Sequence, residues 1–139
     1  SFGVDRTLLA VLCDAYDEEE VSEGNKRTVL RFKPWISPIK CAFFPLMESQ
    51  EQLQQKARAL YHVCLDKWDV EYDGKGAIGR RYRRQDEIGT PFCITVDMES
   101  LEDGCVTVRF RDSMQQTRIK EDQIIPFLEK ELVPKQEDR

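Results

Sequence analysis

The sequence predicts an α/β fold: a mixed five-stranded sheet flanked by helices on both faces, preceded by one further helix. Three observations carry this. Residues 39–46 (IKCAFFPL) and 92–97 (FCITVD) are nearly continuous apolar runs, the mark of strands covered on both sides. Long helical crossovers join the early strands, which makes those strands parallel neighbours with right-handed connections. Residues 105–111 alternate, with Val106, Val108 and Phe110 on one face and Thr107, Arg109 and Arg111 on the other. A turn at Asp112-Ser113-Met114 returns the chain as a polar edge strand over 115–120, giving an antiparallel hairpin.

Taken in order, residues 3–16 carry Val4, Leu8, Leu9, Val11, Leu12, Ala15 and Tyr16 at helical spacing and predict a largely buried helix. Asp5 and Arg6 stand in its first turn. An arginine there opposes the helix dipole; pairing with Asp5 at the surface accounts for it on pattern alone, and an anionic partner is the alternative. Residues 17–26 (DEEEVSEGNK) read as an acidic loop and 28–32 as a short strand. Pro34 and Pro38 bracket a linker that cannot be helical, so the domain boundary is placed between residues 33 and 34.

After the strand at 39–46, Ser49 and Gln52 have the spacing of a capping box opening a long helix. Leu53, Ala57, Leu60, Tyr61, Cys64 and Trp68 form its core stripe, with His62 outside it. Residues 70–73 are a short strand, 101–104 a turn, and Ile124, Ile125, Leu128 and Leu132 mark a closing helix with Pro126 near its first turn. Residues 134–139 form a charged tail, expected to fray.

Between the second and third strands of the sheet lies the run 76–92, GAIGRRYRRQDEIGTPF, a short helix entered through Gly74, Gly76 and Gly79 and stopped by Gly89-Thr90-Pro91. On a helical wheel Ala77, Ile78, Tyr82 and Ile88 share one side, and Arg80, Arg83, Arg84 and Glu87 the other. Arg81 falls among the apolar positions, where it needs a partner, Asp86 or another carboxylate, because an unpaired buried charge costs several kcal/mol. Composition alone leaves two readings open: a solvated helix whose charges pair internally, or an arginine ledge for phosphates or bases. Place in the fold favours the ledge, since ligands of such sheets meet the carboxyl ends of the strands, and the 74–79 loop brings this helix to that rim near Phe44-Pro45-Leu46.

Composition narrows the chemistry. A net charge of −5 argues against binding nucleic acid through global charge, yet leaves room for a local basic site. The five cysteines have no CxxC spacing and read as reduced core thiols in a reducing compartment. With a single histidine, His62, serine–histidine, cysteine–histidine and multi-histidine metal chemistry have almost no basis, and no metal-ligating residues are assigned. No apolar run is long enough for a membrane span or a signal peptide.

Three runs carry a resemblance: Ser37-Pro38-Ile39-Lys40, the whole of 76–92, and VTVRFRD at 106–112. Together they resemble the anticodon-binding domain of glycyl-tRNA synthetases, a domain shared in looser form with the histidyl, threonyl and prolyl enzymes. The opening SFGVDR resembles motif 3 of a class II aminoacyl-tRNA synthetase. The resemblance covers everything before the tail, with one departure: Phe110 stands where the family usually carries an aspartate.

The resemblance implies a C-terminal fragment of such an enzyme, with residues 1–33 the end of the catalytic domain, 34–133 the anticodon-binding domain and 134–139 a disordered tail. The start, without an initiator methionine, suits the interior of a longer protein. By position, Ser1 and Gly3 match the glycine pocket, and Gly3, Val4, Asp5 and Arg6 the ATP-contacting run, with Arg6 against the triphosphate. The tRNA-facing set is Arg80, Arg83, Arg84, Gln85 and Glu87. The implied function is anticodon recognition within a homodimeric enzyme that joins glycine to tRNA(Gly) through a glycyl-adenylate, using ATP and magnesium. This fragment alone is expected to be non-catalytic, in the cytoplasm with or without an organellar pool. Alternatives are a non-catalytic nucleic-acid-binding accessory subunit related to these synthetases and a purely structural, dimer-supporting domain. The intact Gly3-Val4-Asp5-Arg6 run favours the enzyme.

Overall fold

The computed structural model describes residues 2–135, with no account of the Phe2 side chain. The elements run α1 (Phe2–Ala15), β1 (Tyr16–Ser22), β2 (Asn25–Leu30), β3 (Cys41–Pro45), α2 (Glu51–Leu65), β4 (Val70–Tyr72), α3 (Ile78–Ile88), β5 (Phe92–Val96), α4 (Met98–Asp103), β6 (Cys105–Phe110), β7 (Gln116–Lys120) and, after one 3-10 turn, α5 (Ile124–Glu131). Ser1 and residues 136–139 lie outside the described residues, as does most of the expected tail.

The five-stranded sheet has the order β4-β3-β5-β6-β7. Strand β3 is parallel to both β4 and β5, whereas β5, β6 and β7 are antiparallel in succession. The predicted mixed sheet is the observed one, with β7 at the edge. Both apolar runs are central: every residue of β3 and of β5 is buried. Cys41, Phe43, Ile94, Val96, Val106 and Val108 pack with Leu53, Ala57 and Cys64 of α2 and Ile124 and Leu128 of α5. On the opposite face Ala42, Phe44 and Cys93 meet Ile78 and Tyr82 of α3. Phe110 joins Phe92 and Phe127 in a trio of edge-on rings, so an apolar side chain at this position closes the core beneath α5.

Several local expectations are corrected. Residues 17–26 are not a loop: β1 and β2 form an antiparallel hairpin, with Glu19 opposite Arg27 and Asp17 opposite Val29. Along β1 the half-buried positions are Asp17, Glu19 and Val21, so two of three inward residues are acidic and the strand lacks apolar alternation. Arginine satisfies them instead: Arg27 Nε donates to Glu19 at 2.8 Å, and Arg31 donates to Asp17 and Glu19 at 2.9 Å each. Helix α2 starts after Gln50 with no side-chain cap, so Ser49 and Gln52 form no capping box. A capping box does occur at α4, where Asp97 accepts from the Ser100 backbone and the Ser100 hydroxyl accepts from the Asp97 backbone; the expected turn at 101–104 is the end of this helix.

Helix α1 is exposed rather than buried, with Val4, Leu8 and Leu9 all more than half accessible. Cys13 on it is likewise exposed. Cys41, Cys64 and Cys93 are buried free thiols as expected, and burial pushes the Cys64 thiol up to about 11 and the other two higher than their ordinary value. None is a thiolate at neutral pH.

The hairpin is docked on the sheet domain. Val29 and Phe32 are buried, β2 packs against α3, and Arg111 of the strand end donates to the carbonyls of Gly89 (2.7 Å) and Phe32. The expected boundary at 33/34 therefore falls inside a packed contact. Gly89 is the hinge of that contact: it ends α3 in the left-handed region at φ 87°, and a Cβ there would lie 2.4 Å from Phe32 Cδ2.

Two measurements test this docking. Gly89→Ala combines left-handed strain with a clash against a buried ring, and is expected to lower stability by roughly 2–4 kcal/mol in denaturant melts. The second concerns acid. The hydrogen bond from Arg27, with the charges of Arg27 and Arg31, holds the Glu19 carboxyl below its ordinary value near 4.5 against the opposing effect of burial. Its contribution is complete above the unfolded value and is lost as pH falls through the lower folded one. Between about pH 6 and about pH 3 the wild type should therefore lose more melting temperature than Glu19→Gln; equal acid limbs would count against the clamp.

Candidate nucleic-acid interface

Helix α3 is launched from the carboxyl end of β4, through a loop in which Gly76 takes φ 84° and the Lys75 backbone N–H donates to Asp73 Oδ1 at 3.0 Å. Arg81 holds the helix to the rim of the sheet. Its partner is not Asp86 or any other carboxylate, as expected from sequence, but main-chain oxygen: Nη1 donates to Pro45 O at 2.6 Å and Asp73 O at 3.2 Å, and Nη2 to Leu46 O at 3.0 Å. Pro45 is the last residue of β3, and Leu46 and Asp73 immediately follow β3 and β4, so the three carbonyls lie together at the carboxyl rim of the sheet. Burial lowers the Arg81 guanidinium somewhat, with Asp73 opposing, and the group sits 5.5 Å from the Phe44 ring.

Asp86 is occupied elsewhere. Its Oδ1 accepts from Arg109 Nη1 at 2.9 Å, and its Oδ2 from Arg109 Nη2 and Arg27 Nη1 at 3.1 Å each. Burial pulls the Arg109 guanidinium down, but the hydrogen bonds and charge of Asp86 more than offset it, and the net shift is upward. Arg109 also lies 4.7 Å from the Tyr82 ring, whose hydroxyl pairs with Thr95 Oγ1 at 2.8 Å. The inner side of α3 is thus fixed by one ion cluster and one arginine–carbonyl clasp.

The outer side carries the expected arginines. Arg80 is exposed. Arg83 is 40% exposed at its side chain and reaches Asp86 only at 3.4 Å. Arg84 is half-exposed and tied to the entry loop, its Nε 3.2 Å from Asp73 Oδ2 and its Nη2 2.8 Å from Lys75 O. Glu87 is exposed on the same helix. Gln85, expected in the ligand-facing set, is buried instead: its Nε2 donates to Glu71 at 2.9 Å and its Oε1 accepts from Thr90 at 2.6 Å.

Beside the α3 entry loop lies a cleft of about 250 Å³ formed by Glu48, Gln54, Arg58, Tyr72, Asp73, Gly74 and Lys75. Arg58 of α2 stacks 4.6 Å from the centroid of Tyr72 on β4. Sequence reasoning missed this pair, whose only local signal was an arginine adjacent to, not on, the core stripe of α2. Cleft and helix together present guanidinium, ammonium and aromatic groups around one rim, the combination that takes phosphate oxygens and unstacked bases. For Gly3, Val4, Asp5 and Arg6 the structure gives exposed positions in the first turns of α1; Ser1 lies outside the described residues.

Comparison with known proteins agrees with this geometry. Residues 40–131 match the anticodon binding domain family. The chain is 56% identical over 129 residues to a glycine–tRNA ligase of Acetivibrio thermocellus, covering 93% of this chain and 27% of that protein. Glycine–tRNA ligases of Clostridium acetobutylicum and Streptomyces coelicolor are each 52% identical, over 132 and 135 residues, covering 95% and 94% of this chain and 28% and 29% of those proteins. The chain therefore spans little more than a quarter of the length of these curated relatives. With a family match running from β3 to the end of α5, the chain belongs to the anticodon-binding domain family.

Proposed function

We propose that this chain recognises the anticodon stem-loop of tRNA(Gly) within a glycine–tRNA ligase, the enzyme that joins glycine to its tRNA through a glycyl-adenylate using ATP. The observation that carries the reading is the division of α3 into an inner side locked by Arg81 and Asp86 and an outer side offering Arg80, Arg83 and Arg84 at the carboxyl rim of the sheet. Similarity to glycine–tRNA ligases over nearly the whole chain supports the choice of tRNA. In a single-stranded loop the phosphates are reached by arginine and the bases by stacking, which gives the Arg58–Tyr72 pair a part in the same surface.

The full protein would act as a homodimer in the cytoplasm, with Ser1 and Gly3 toward glycine and the run Gly3, Val4, Asp5 and Arg6 toward ATP. A guanidinium such as that of Arg6 stabilises phosphate charge during adenylate formation. Among the described residues no group of three or more His, Cys, Asp or Glu could hold a metal ion.

Binding of an anticodon stem-loop RNA to the chain tests the first part. Arg80→Ala should weaken affinity by roughly 1.5–3 kcal/mol, the worth of one charge-assisted hydrogen bond, with an unchanged melting temperature. Its salt dependence should fall by about 0.7 in log–log slope. Unaltered affinity and slope for Arg80→Ala and Arg84→Ala together would make α3 scaffold. For the second part, Arg6→Ala in the full-length protein should depress glycine-dependent ATP–pyrophosphate exchange while leaving RNA affinity nearly constant. Wild-type exchange in that variant would remove Arg6 from the ATP site.

A further inference from the structure

One carboxylate serves three guanidiniums beneath α3, and their claims on it are unequal. Asp86 and Arg27 are fully buried at their side chains and Arg109 nearly so, whereas Arg83 is 40% exposed. Arg109 grips both oxygens of Asp86, at 2.9 and 3.1 Å. Arg27 takes Oδ2 at 3.1 Å and is held there by its own further bonds to Arg111 O at 2.7 Å, Asp112 O at 3.3 Å and Glu19. Arg83 makes the longest approach, 3.4 Å to the same Oδ2, and its other hydrogen bond among the described residues goes to Met114 Sδ at 3.8 Å. A carboxylate oxygen offers about two lone-pair sites. Arg109 and Arg27 occupy Oδ2 at 3.1 Å each, so Arg83 is left with the longest of the three contacts on that oxygen, at 3.4 Å.

We infer that Arg27, from the β1–β2 hairpin, is a positioning residue for RNA binding: by competing for Asp86 Oδ2 it holds Arg83 to a long, weak contact with that carboxylate and keeps its guanidinium available to a phosphate. This rests on the reading of α3 as an RNA-facing helix. It assigns the hairpin a measurable effect on affinity. Without Arg27, Asp86 Oδ2 gains a vacant site within reach of an i−3 arginine on its own helix, the spacing at which such pairs form readily.

The test is binding of the anticodon stem-loop RNA across a salt series to wild type, Arg83→Ala, Arg27→Met, Arg27→Lys and the Arg27→Met/Arg83→Ala double variant, each checked by thermal melt to be folded at the assay temperature. Arg83→Ala should weaken binding about tenfold and lower the salt slope by about 0.7. Arg27→Met should reproduce most of that loss and the flatter slope, although residue 27 is buried. In the double variant the second substitution should add less than about twofold. Arg27→Lys, which keeps a cation beside Asp86, should restore binding toward wild type. A merely structural role for Arg27 would lower the melting temperature without flattening the salt slope, and its effect would multiply with that of Arg83→Ala; either result overturns the inference while leaving α3 as the RNA-facing helix. No effect of Arg83→Ala in the wild-type background overturns both. Should Arg27→Met fail to fold, the wild type still decides: Arg83 should react with phenylglyoxal at a rate close to that of exposed Arg80, with RNA protecting it. Reaction as slow as at buried Arg109 would sink the inference.

Discussion

The buried carboxylate of Asp86 is the constraint on which the arrangement depends. It stands on α3, is gripped by Arg109 near the end of β6, and accepts Arg27 from the hairpin. Three segments far apart in sequence thereby share one charge. Such a cluster gives modest net stability, because desolvating several ions consumes most of what their attraction returns. What it does impose is register. Arginine donors fit a carboxylate in a narrow set of planar geometries, so α3 cannot slide along the sheet or rotate about its axis without breaking bonds that have no water to replace them. An apolar seam of the same area would tolerate such movement.

Arg81 supplies the complementary constraint at the other end of the helix. Three hydrogen bonds from its two terminal nitrogens to carbonyls at the ends of β3 and β4 join α3 to the main chain of the sheet rim. Main-chain oxygens carry no titratable charge, so the clasp itself neutralises none of the guanidinium's charge, which Asp73 and Glu48 offset through space. Helix α3 thus has one end fixed by an ion cluster and one by an arginine–carbonyl clasp, and the latter end lies beside the Arg58–Tyr72 cleft.

Much of the sheet was legible in the sequence because burial on both faces leaves an unmistakable apolar run, as in CAFFP and FCITV. The arginine helix was legible as well, through its glycine punctuation and its wheel. The acidic hairpin was not. Strand β1 turns Asp17 and Glu19 inward, and only the arginines opposite and alongside make that tolerable, a fact that hydropathy cannot express. The same blindness explains why Asp86 was offered to Arg81: in sequence they are neighbours on one helix, whereas the true partners are set by β6 and β2. Carbonyl acceptors have no residue signature, so the Arg81 clasp could not have been read. Gln85 was misplaced for a related reason, since its inward amide contacts come from Glu71 and Thr90 on other segments.

The negative net charge of the chain looks unfavourable for a polyanionic partner until its location is considered. Asp17 and Glu19 are spent on Arg31 and Arg27, Asp86 on buried arginines, and Asp97 and Asp103 on Arg118. Paired carboxylates of this kind contribute little field beyond their partners. The remaining acidic side chains of β1, Glu18 and Glu20, point to the exposed side of the hairpin, opposite the inward residues that face the α3 cluster. At physiological ionic strength charges separated by more than about 8 Å are largely screened from one another. A phosphate approaching α3 therefore responds to Arg80, Arg83 and Arg84 rather than to the sum over the molecule. Holding one arginine on carbonyls and leaving another only the longest contact to a shared carboxylate both keep guanidinium groups at one rim of an acidic protein.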